Sequence, residues 1–153
     1  ETNAREGASF QAGPPRRILL ASVAGDQHSF GMAMVSDMFS RAGWQVDSDE
    51  GRTETQLLEA VQRDWYDVIG LGVVDAACLD TLAGRAERLR HASCNPAVGI
   101  MAGGRFVSAA PGRIRCLAVD AVVTDGRLAV DTATRLVLQR APLSLRRMPA
   151  GSD

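Results

Sequence analysis

Asp26 and His28 are the residues whose types and spacing point most directly to chemistry, and they lie within residues 26–31, which read DQHSFG. A neutral imidazole is a common metal ligand, and a carboxylate beside it can accept a hydrogen bond from its second ring nitrogen. That hydrogen bond fixes the tautomer of the imidazole and raises its basicity. Asp26 and His28 have residue types that could hold a metal ion; the alternative interpretation is a surface histidine beside a turn-forming aspartate.

The composition excludes several other chemistries. All 17 basic residues are arginines, so the chain has no lysine for Schiff-base formation or for a P-loop. The formal net charge of -1 lacks the basic excess that a general nucleic-acid surface needs. No apolar run approaches the roughly 20 residues of a membrane span. We therefore expect neither direct nucleic-acid binding nor membrane insertion.

The cysteines and the overall composition indicate a single cytoplasmic domain. Cys78, Cys94 and Cys116 show no C-x-x-C spacing and are odd in number, which is typical of reduced thiols. With 153 residues, of which 46% are apolar and 23% charged, the chain suits one soluble α/β domain. Because residue 1 is glutamate and not methionine, we expect the chain to be a piece of a longer protein.

Apolar strand patterns alternate with helical patterns along the chain. Strands are predicted at residues 17–24, 44–47, 67–74, 95–102 and 120–125. Helices are predicted through residues 32–43, from a capping box at Thr53 to Gln56, from a cap at Asp75, weakly over 106–112, and over 126–140. The alternation is typical of an α/β, flavodoxin-like (Rossmann-like) fold, which is a doubly wound five-stranded parallel sheet with strand order 2-1-3-4-5. We predict a flexible leader over residues 1–15, a domain over 16–140 and a flexible tail over 141–153.

Ligands of such a sheet bind at the carboxyl ends of the strands, near the point where the strand order reverses. Three familiar ligand types fit this chain poorly. Residues 70–75 (GLGVVD) lack the third glycine of a dinucleotide fingerprint. A phosphoacceptor receiver needs a lysine that the chain lacks, and residues 25–31 (GDQHSFG) differ from the Ser/Thr-rich loop usual for flavin mononucleotide.

The context of the D-x-H-x-x-G motif resembles that of the cobalamin (vitamin B12)-binding domain family over residues 16–140. The motif falls between the first strand and the first helix, residues 42–46 (AGWQV) follow that helix, and the pair Gly103-Gly104 follows strand four. The resemblance implies that His28 is the axial ligand of cobalt, with Asp26 as its hydrogen-bond partner. It also implies that the nucleotide tail of the cofactor is displaced from the metal and buried in the sheet. The cofactor-binding residues predicted on this basis are Asp26, Gln27, His28, Ser29, Phe30, Gly31, Gly72, Val73, Val74, Gly103, Gly104, Thr124, Asp125 and Gly126.

Two departures from the family pattern are visible. The run Gly72-Val73-Val74 stands where the family usually has Ser-x-Leu, so the hydroxyl expected to contact the buried nucleotide base is missing. This departure keeps haem open as an alternative cofactor, again with His28 as the ligand. Family members in methyl transfer and light sensing carry a helical bundle before this domain, and residues 1–15 are too short to form one.

The second half of the chain, residues 92–130, is most similar to the cobalamin-binding antirepressors of purple photosynthetic bacteria. That similarity implies a sensor or regulatory domain, and not an enzyme, which modulates a transcription regulator in response to cofactor or light. We therefore expect a protein partner and cobalamin in its hydroxo, methyl or adenosyl form. Two alternatives stay open: a corrinoid carrier subunit of a methyltransferase or mutase, and a haem sensor of the same fold.

The other histidine, the aromatic residues and the arginines of the third helix are interpreted as structural. His91 falls near the end of that helix, where a polar side chain is favourable to the helix dipole. Trp44, Trp65 and Tyr66 flank strands two and three, and their size predicts that they pack in the core. The arginines at positions 85, 88 and 90 are expected to solvate an outer helix face, with a docking surface as the alternative.

Overall fold

A computed structural model describes residues 15–22, 30–48, 53–73, 79–104 and 119–140. The strands are β1 (Arg17–Ser22), β2 (Gln45–Ser48), β3 (Val68–Gly72), β4 (Gly99–Gly103) and β5 (Ala121–Val123). The helices are α1 (Phe30–Arg41), α2 (Glu54–Arg63), α3 (Leu79–Ala92) and α4 (Ala129–Arg140), and a 3-10 turn, Gly126–Leu128, precedes α4. All strands pair in parallel, in the order β2-β1-β3-β4-β5, which confirms the predicted fold.

Alternating side chains divide the sheet between two helical layers. On one face, Leu19 and Ile69 belong to a buried cluster with side chains of α2 and α3. On the other face, Leu20 and Met101 belong to a second buried cluster with side chains of α1 and α4. The central strands β1, β3 and β4 are therefore covered on both sides, as their continuous apolar runs predict.

Local signals at two helix ends are confirmed. The Thr53 hydroxyl accepts a hydrogen bond from the Gln56 backbone N–H at 3.2 Å, and Gln56 Oε1 accepts one from the Thr53 backbone N–H at 2.8 Å. These two bonds form the predicted capping box of α2. Gly43, two residues beyond α1, has a φ of 94°, which glycine adopts more readily than other residues.

The start of β4 differs from the prediction. The strand begins at Gly99 and not at residue 95, because Asn95 forms a turn. Its side-chain oxygen accepts a hydrogen bond from the Ala97 backbone N–H at 2.9 Å, and its amide donates one to the Tyr66 carbonyl at 2.8 Å. A buried asparagine with these partners stabilises a turn in preference to an extended strand.

The predictions for the aromatic residues and for the start of the last helix are confirmed only in part. Trp44 and Tyr66 are buried, but Trp65 is 51% exposed, so its predicted core position is wrong. The last helix begins at Ala129 because Asp125 caps a separate 3-10 turn.

The predicted leader up to residue 14, the helical stretch over 106–112 and the tail over 141–153 lie outside the described residues. None of the helices in the described ranges combines the length and apolar character that a bilayer crossing requires.

A polar network lies near the amino end of the sheet. Asp47 on β2 accepts a hydrogen bond from the Tyr66 hydroxyl at 2.5 Å and pairs with the Arg17 guanidinium at 2.9 Å. The guanidinium also lies 4.9 Å from the centre of the Tyr66 ring. Burial and the hydrogen bond to Asp47 raise the pKa of Tyr66 to about 12. These contacts connect β1 and β2 to Tyr66, which precedes β3, at the amino-end edge of the sheet.

Candidate functional site

The predicted metal-ligand loop connects the carboxyl end of β1 to the start of α1. β1 ends at Ser22 and α1 begins at Phe30, and Gly31 lies in the first turn of that helix. The predicted site residues Asp26, Gln27, His28, Ser29 and Val74 lie outside the described residues. Their roles stay predictions, and the described residues define the edge of the sheet to which the loop is attached.

Two glycines leave a gap in the side chains at this edge. Gly72 ends β3 and Gly103 ends β4, and the two are partners in the strand register on the α1 and α4 face. Both are half-buried. A methyl group on Gly72 would lie 3.0 Å from Met32 Cε and 3.8 Å from the Ala21 carbonyl oxygen. We name the space beside Gly72 and Gly103 the glycine groove.

The glycine groove is shallow because side chains close it further into the sheet. Gly70 lies two residues before Gly72 and points to the same face. A methyl group on Gly70 would lie 2.8 Å from Leu20 Cδ2 and 3.5 Å from Met101 Cε. Leu20 and Met101 therefore form a floor under the groove, which is confined to the last residue pair of β3 and β4.

Gly104 is required by the path of the backbone. Its φ is 119°, and a methyl group there would lie 2.6 Å from the Val73 carbonyl oxygen. The Val73 N–H donates a hydrogen bond to the Gly103 carbonyl at 2.8 Å, which ties the ends of β3 and β4 together. The Val73 side chain is fully buried in the cluster on the α2 and α3 face. Val73 could therefore contact a ligand in the glycine groove through its backbone alone.

The turn after β5 presents a carboxylate that already has a partner. Asp125 accepts a hydrogen bond from the Arg127 backbone N–H at 2.9 Å and forms an ion pair with Arg127 Nη2 at 2.7 Å. Hydrogen bonds from Arg127 lower the pKa of Asp125 to about 2. Thr124 is exposed, and a methyl group on Gly126 would lie 3.5 Å from Val35 on α1. The predicted residues of this turn thus lie at the same edge and next to α1.

Arg85 is a positioning residue that sequence reasoning missed. Its side chain is only 13% exposed, so the expectation of a solvated arginine is wrong at this position. Arg85 Nη1 donates a hydrogen bond to the Ser22 carbonyl at 2.9 Å, and Nη2 lies 3.4 Å from Glu54. A hydrogen bond from Arg88 and the charges of both arginines lower the pKa of Glu54. Because Ser22 is the last residue of β1, Arg85 holds the strand end from which the loop with His28 departs.

Solved structures with a similar fold include corrinoid proteins and receiver domains. A cobalamin-binding protein from Desulfitobacterium hafniense matches with a TM-score of 0.69 and 20% identity, over 79% of this chain and 58% of its own. The monomethylamine corrinoid protein of Methanosarcina barkeri matches with a TM-score of 0.66 and 17% identity, over 78% of this chain and 57% of its own. The receiver domain of NtrC4 from Aquifex aeolicus matches with a TM-score of 0.54 and 14% identity, over 83% of this chain and 99% of its own. At these identities the likeness is one of fold, and the chain spans less than two thirds of the two corrinoid proteins.

A comparison with curated proteins found no match. The family described as "B12 binding domain" matches residues 16–133, which is well over half of the chain. The matched range includes the D-x-H-x-x-G motif and the glycine groove. The chain therefore belongs to the B12 binding domain family.

Proposed function

We propose that this domain binds a corrinoid at the carboxyl edge of its sheet, with His28 as the axial ligand of cobalt and Asp26 as the hydrogen-bond partner of that histidine. The observation that carries the proposal is the D-x-H-x-x-G motif, which connects β1 to α1 in a chain of the B12 binding domain family. A corrin ring supplies four nitrogens to cobalt, which leaves an axial position for a neutral imidazole. The bound group would supply the redox and cobalt–carbon chemistry, and the residues of the chain would hold and orient it.

The glycines at this edge allow a bulky ligand to approach the backbone once Met32 turns aside. Gly72 and Gly103 place no side chain on the α1 and α4 face, and in the described structure Met32 Cε fills the space beside Gly72. The groove faces α1, the helix that directly follows the loop with His28. In the proposed base-off arrangement the nucleotide tail lies in this groove. Because residue 72 is glycine and not serine, the tail would meet main-chain atoms and Met32 there.

The test of this proposal compares the two histidines of the chain. Wild type, His28→Ala and His91→Ala are each mixed with hydroxocobalamin, adenosylcobalamin and haem, and the absorption spectra and dissociation constants are measured. His91 is an exposed residue in the last turn of α3 and serves as the matched control. We expect wild type and His91→Ala to bind cobalamin with the same shifted spectrum. His28→Ala should lose the spectral shift, because its loop then offers no imidazole to cobalt.

Two outcomes would contradict the proposal. An identical spectrum for wild type and His28→Ala with bound cobalamin would show that His28 is not the axial ligand. A stable complex with haem and none with either cobalamin would favour the haem sensor, for which the absent serine at position 72 is the supporting observation.

We further propose that the domain has a regulatory role, in which cofactor or light changes its binding to a transcription regulator. The support is the similarity of residues 92–130 to the antirepressors of purple photosynthetic bacteria. The second candidate is a corrinoid carrier, which is favoured by the fold shared with the monomethylamine corrinoid protein. A cytoplasmic location is part of the regulatory proposal.

The two roles differ in a measurable way. A sensor loaded with adenosylcobalamin should change the hydrogen exchange of α1 and α4 on illumination and show no turnover. A carrier loaded with methylcobalamin should instead pass its methyl group to a partner methyltransferase, with no dependence on light. Methyl transfer without a light response would overturn the regulatory proposal and leave corrinoid binding intact.

A further inference from the structure

Met32 fills the space that Gly72 leaves at the carboxyl edge. Its Cε lies 3.0 Å from the position that a Cβ on residue 72 would take. The residue lies in the first turn of α1, is half-buried, and packs against the cluster of the α1 and α4 face. The gap between sheet and helix is thus taken by the end of an unbranched, flexible side chain.

Two other boundaries of the glycine groove within the described residues are backbone carbonyls. The Ala21 carbonyl belongs to the central strand β1, and the Val123 carbonyl lies 3.4 Å from the position of a Cβ on Gly103. Leu20 and Met101 close the floor over Gly70, where a methyl group would already clash. Backbone in a parallel ladder cannot shift without breaking hydrogen bonds, whereas a methionine changes rotamer readily. Leu20 and Met101 are buried in the core, whereas Met32 is half-buried, so among the described walls of the groove Met32 moves most readily.

We propose that Met32 determines how far the nucleotide tail of a corrinoid enters the glycine groove. This inference rests on the proposed corrinoid binding. A tail that lies against Gly72 needs the volume that Met32 Cε now fills, so Met32 must turn aside when the tail enters. A corrinoid without a nucleotide tail has no need of that volume. Met32 then discriminates between complete and tail-less corrinoids without touching cobalt.

Cobalamin and cobinamide, which has the corrin ring but no nucleotide base, are the two probes. Their dissociation constants are measured for wild type, Met32→Ala and Met34→Ala. Met34 is the matched control, because it lies two residues further along α1 and is 46% exposed. We expect Met32→Ala to raise the preference for cobalamin over cobinamide about four- to fifteenfold, the order that corresponds to one or two methylene-sized groups. Met34→Ala should leave the preference unchanged within twofold.

A double-mutant cycle with Gly72→Ala tests the contact itself. The added methyl group should press on Met32 Cε and lower the preference for cobalamin, and Met32→Ala in the same chain should restore part of it. Met32→Leu withdraws the terminal methyl group while it keeps the core filled, so it supplies the test if the alanine variant does not fold. Thermal unfolding of each variant separates lost binding from lost structure.

The outcomes separate this inference from the proposed function. If wild type binds both corrinoids and the preference stays the same in Met32→Ala and Met32→Leu, Met32 has no such role, although corrinoid binding stands. If the double variant changes the preference for cobalamin by the sum of the two single effects, positions 32 and 72 are not coupled, and the inference is overturned in the same way. If neither corrinoid binds any variant, the proposed function is wrong and the role of Met32 falls with it.

Discussion

Gly104→Ala is expected to destabilise the domain strongly, and Gly43→Ala supplies the comparison that explains why. Both glycines have positive φ, 119° at Gly104 and 94° at Gly43. A Cβ on Gly43 would meet nothing within 4 Å, whereas one on Gly104 would lie 2.6 Å from the Val73 carbonyl oxygen and 3.0 Å from the Val73 nitrogen. The two substitutions therefore share the backbone strain and differ in steric overlap.

The expected free energies follow from these two contributions. An alanine in the left-handed region costs about 1–2 kcal/mol, which is the whole effect at Gly43. At Gly104 the overlap is with backbone that is tied to β4 by the hydrogen bond from the Val73 N–H to the Gly103 carbonyl. Relieving an overlap of this kind costs a further ~1–3 kcal/mol. The sum, about 2–5 kcal/mol, is a large share of the ~5–15 kcal/mol that stabilises a typical domain.

Urea unfolding of wild type, Gly43→Ala and Gly104→Ala measures both contributions. With a slope of about 1–3 kcal/mol per molar urea, the midpoint of Gly104→Ala should fall by about 1–2 M and that of Gly43→Ala by less than half as much. Equal losses for the two variants would refute the steric argument. If the urea midpoint of Gly104→Ala falls by less than that of Gly43→Ala, the ends of β3 and β4 are not held together as closely as described.

Three further predictions concern stability. Thr53→Ala removes the capping box of α2 and should lower the free energy of unfolding by about 1 kcal/mol in urea. Tyr66→Phe removes the hydroxyl that donates to Asp47 and should lower the free energy of unfolding by about 1–2 kcal/mol. In wild type, the absorbance of this sole tyrosine should titrate near pH 12. Because the pKa is raised in the folded state, the free energy of unfolding should fall as the pH rises from about 10 through that value. Arg88 lowers the pKa of Glu54, so the pair stabilises the domain above the ordinary pKa of glutamate and loses this effect as the pH falls through the lowered value. Glu54→Gln should therefore flatten the acid side of the stability profile by at most about 1 kcal/mol, because the carboxylate is partly exposed.

Most of the fold is predictable because its signals are local. Continuous apolar runs predict buried parallel strands, and the strand order follows from the alternation of strands with helices. The capping box at Thr53 and the glycine after α1 are readable for the same reason. The prediction of a strand at Asn95 is wrong because the apolar run after it hides a local turn signal, the Asn-Pro pair at 95–96; the bond of Asn95 to the Tyr66 carbonyl, 29 residues away in sequence, adds to that turn. The predicted core position of Trp65 is wrong because the size of a side chain does not reveal which way it points.

In the candidate site, too, local features are predictable from the sequence, and features that depend on distant contacts are not. The position of the D-x-H-x-x-G motif at the edge follows from the predicted strand and helix, and so does the pairing of the turns after β3 and β4. The requirement for glycine at position 104 arises from Val73, and the partner of Gly72 is Met32. The hold of Arg85 on Ser22 joins residues 63 positions apart. Contacts between distant segments carry no periodic signal, so sequence patterns cannot reveal them.

The lengths of the strands have a consequence for behaviour at high concentration. The two edge strands, β2 and β5, have four and three residues, whereas β1, an interior strand, has six. An edge strand offers unpaired backbone groups that can recruit a strand from another molecule, and a short edge offers few of them. β2 also carries the charged side chain of Asp47, which disfavours such pairing. The sheet is thereby protected at both sides against edge-to-edge aggregation.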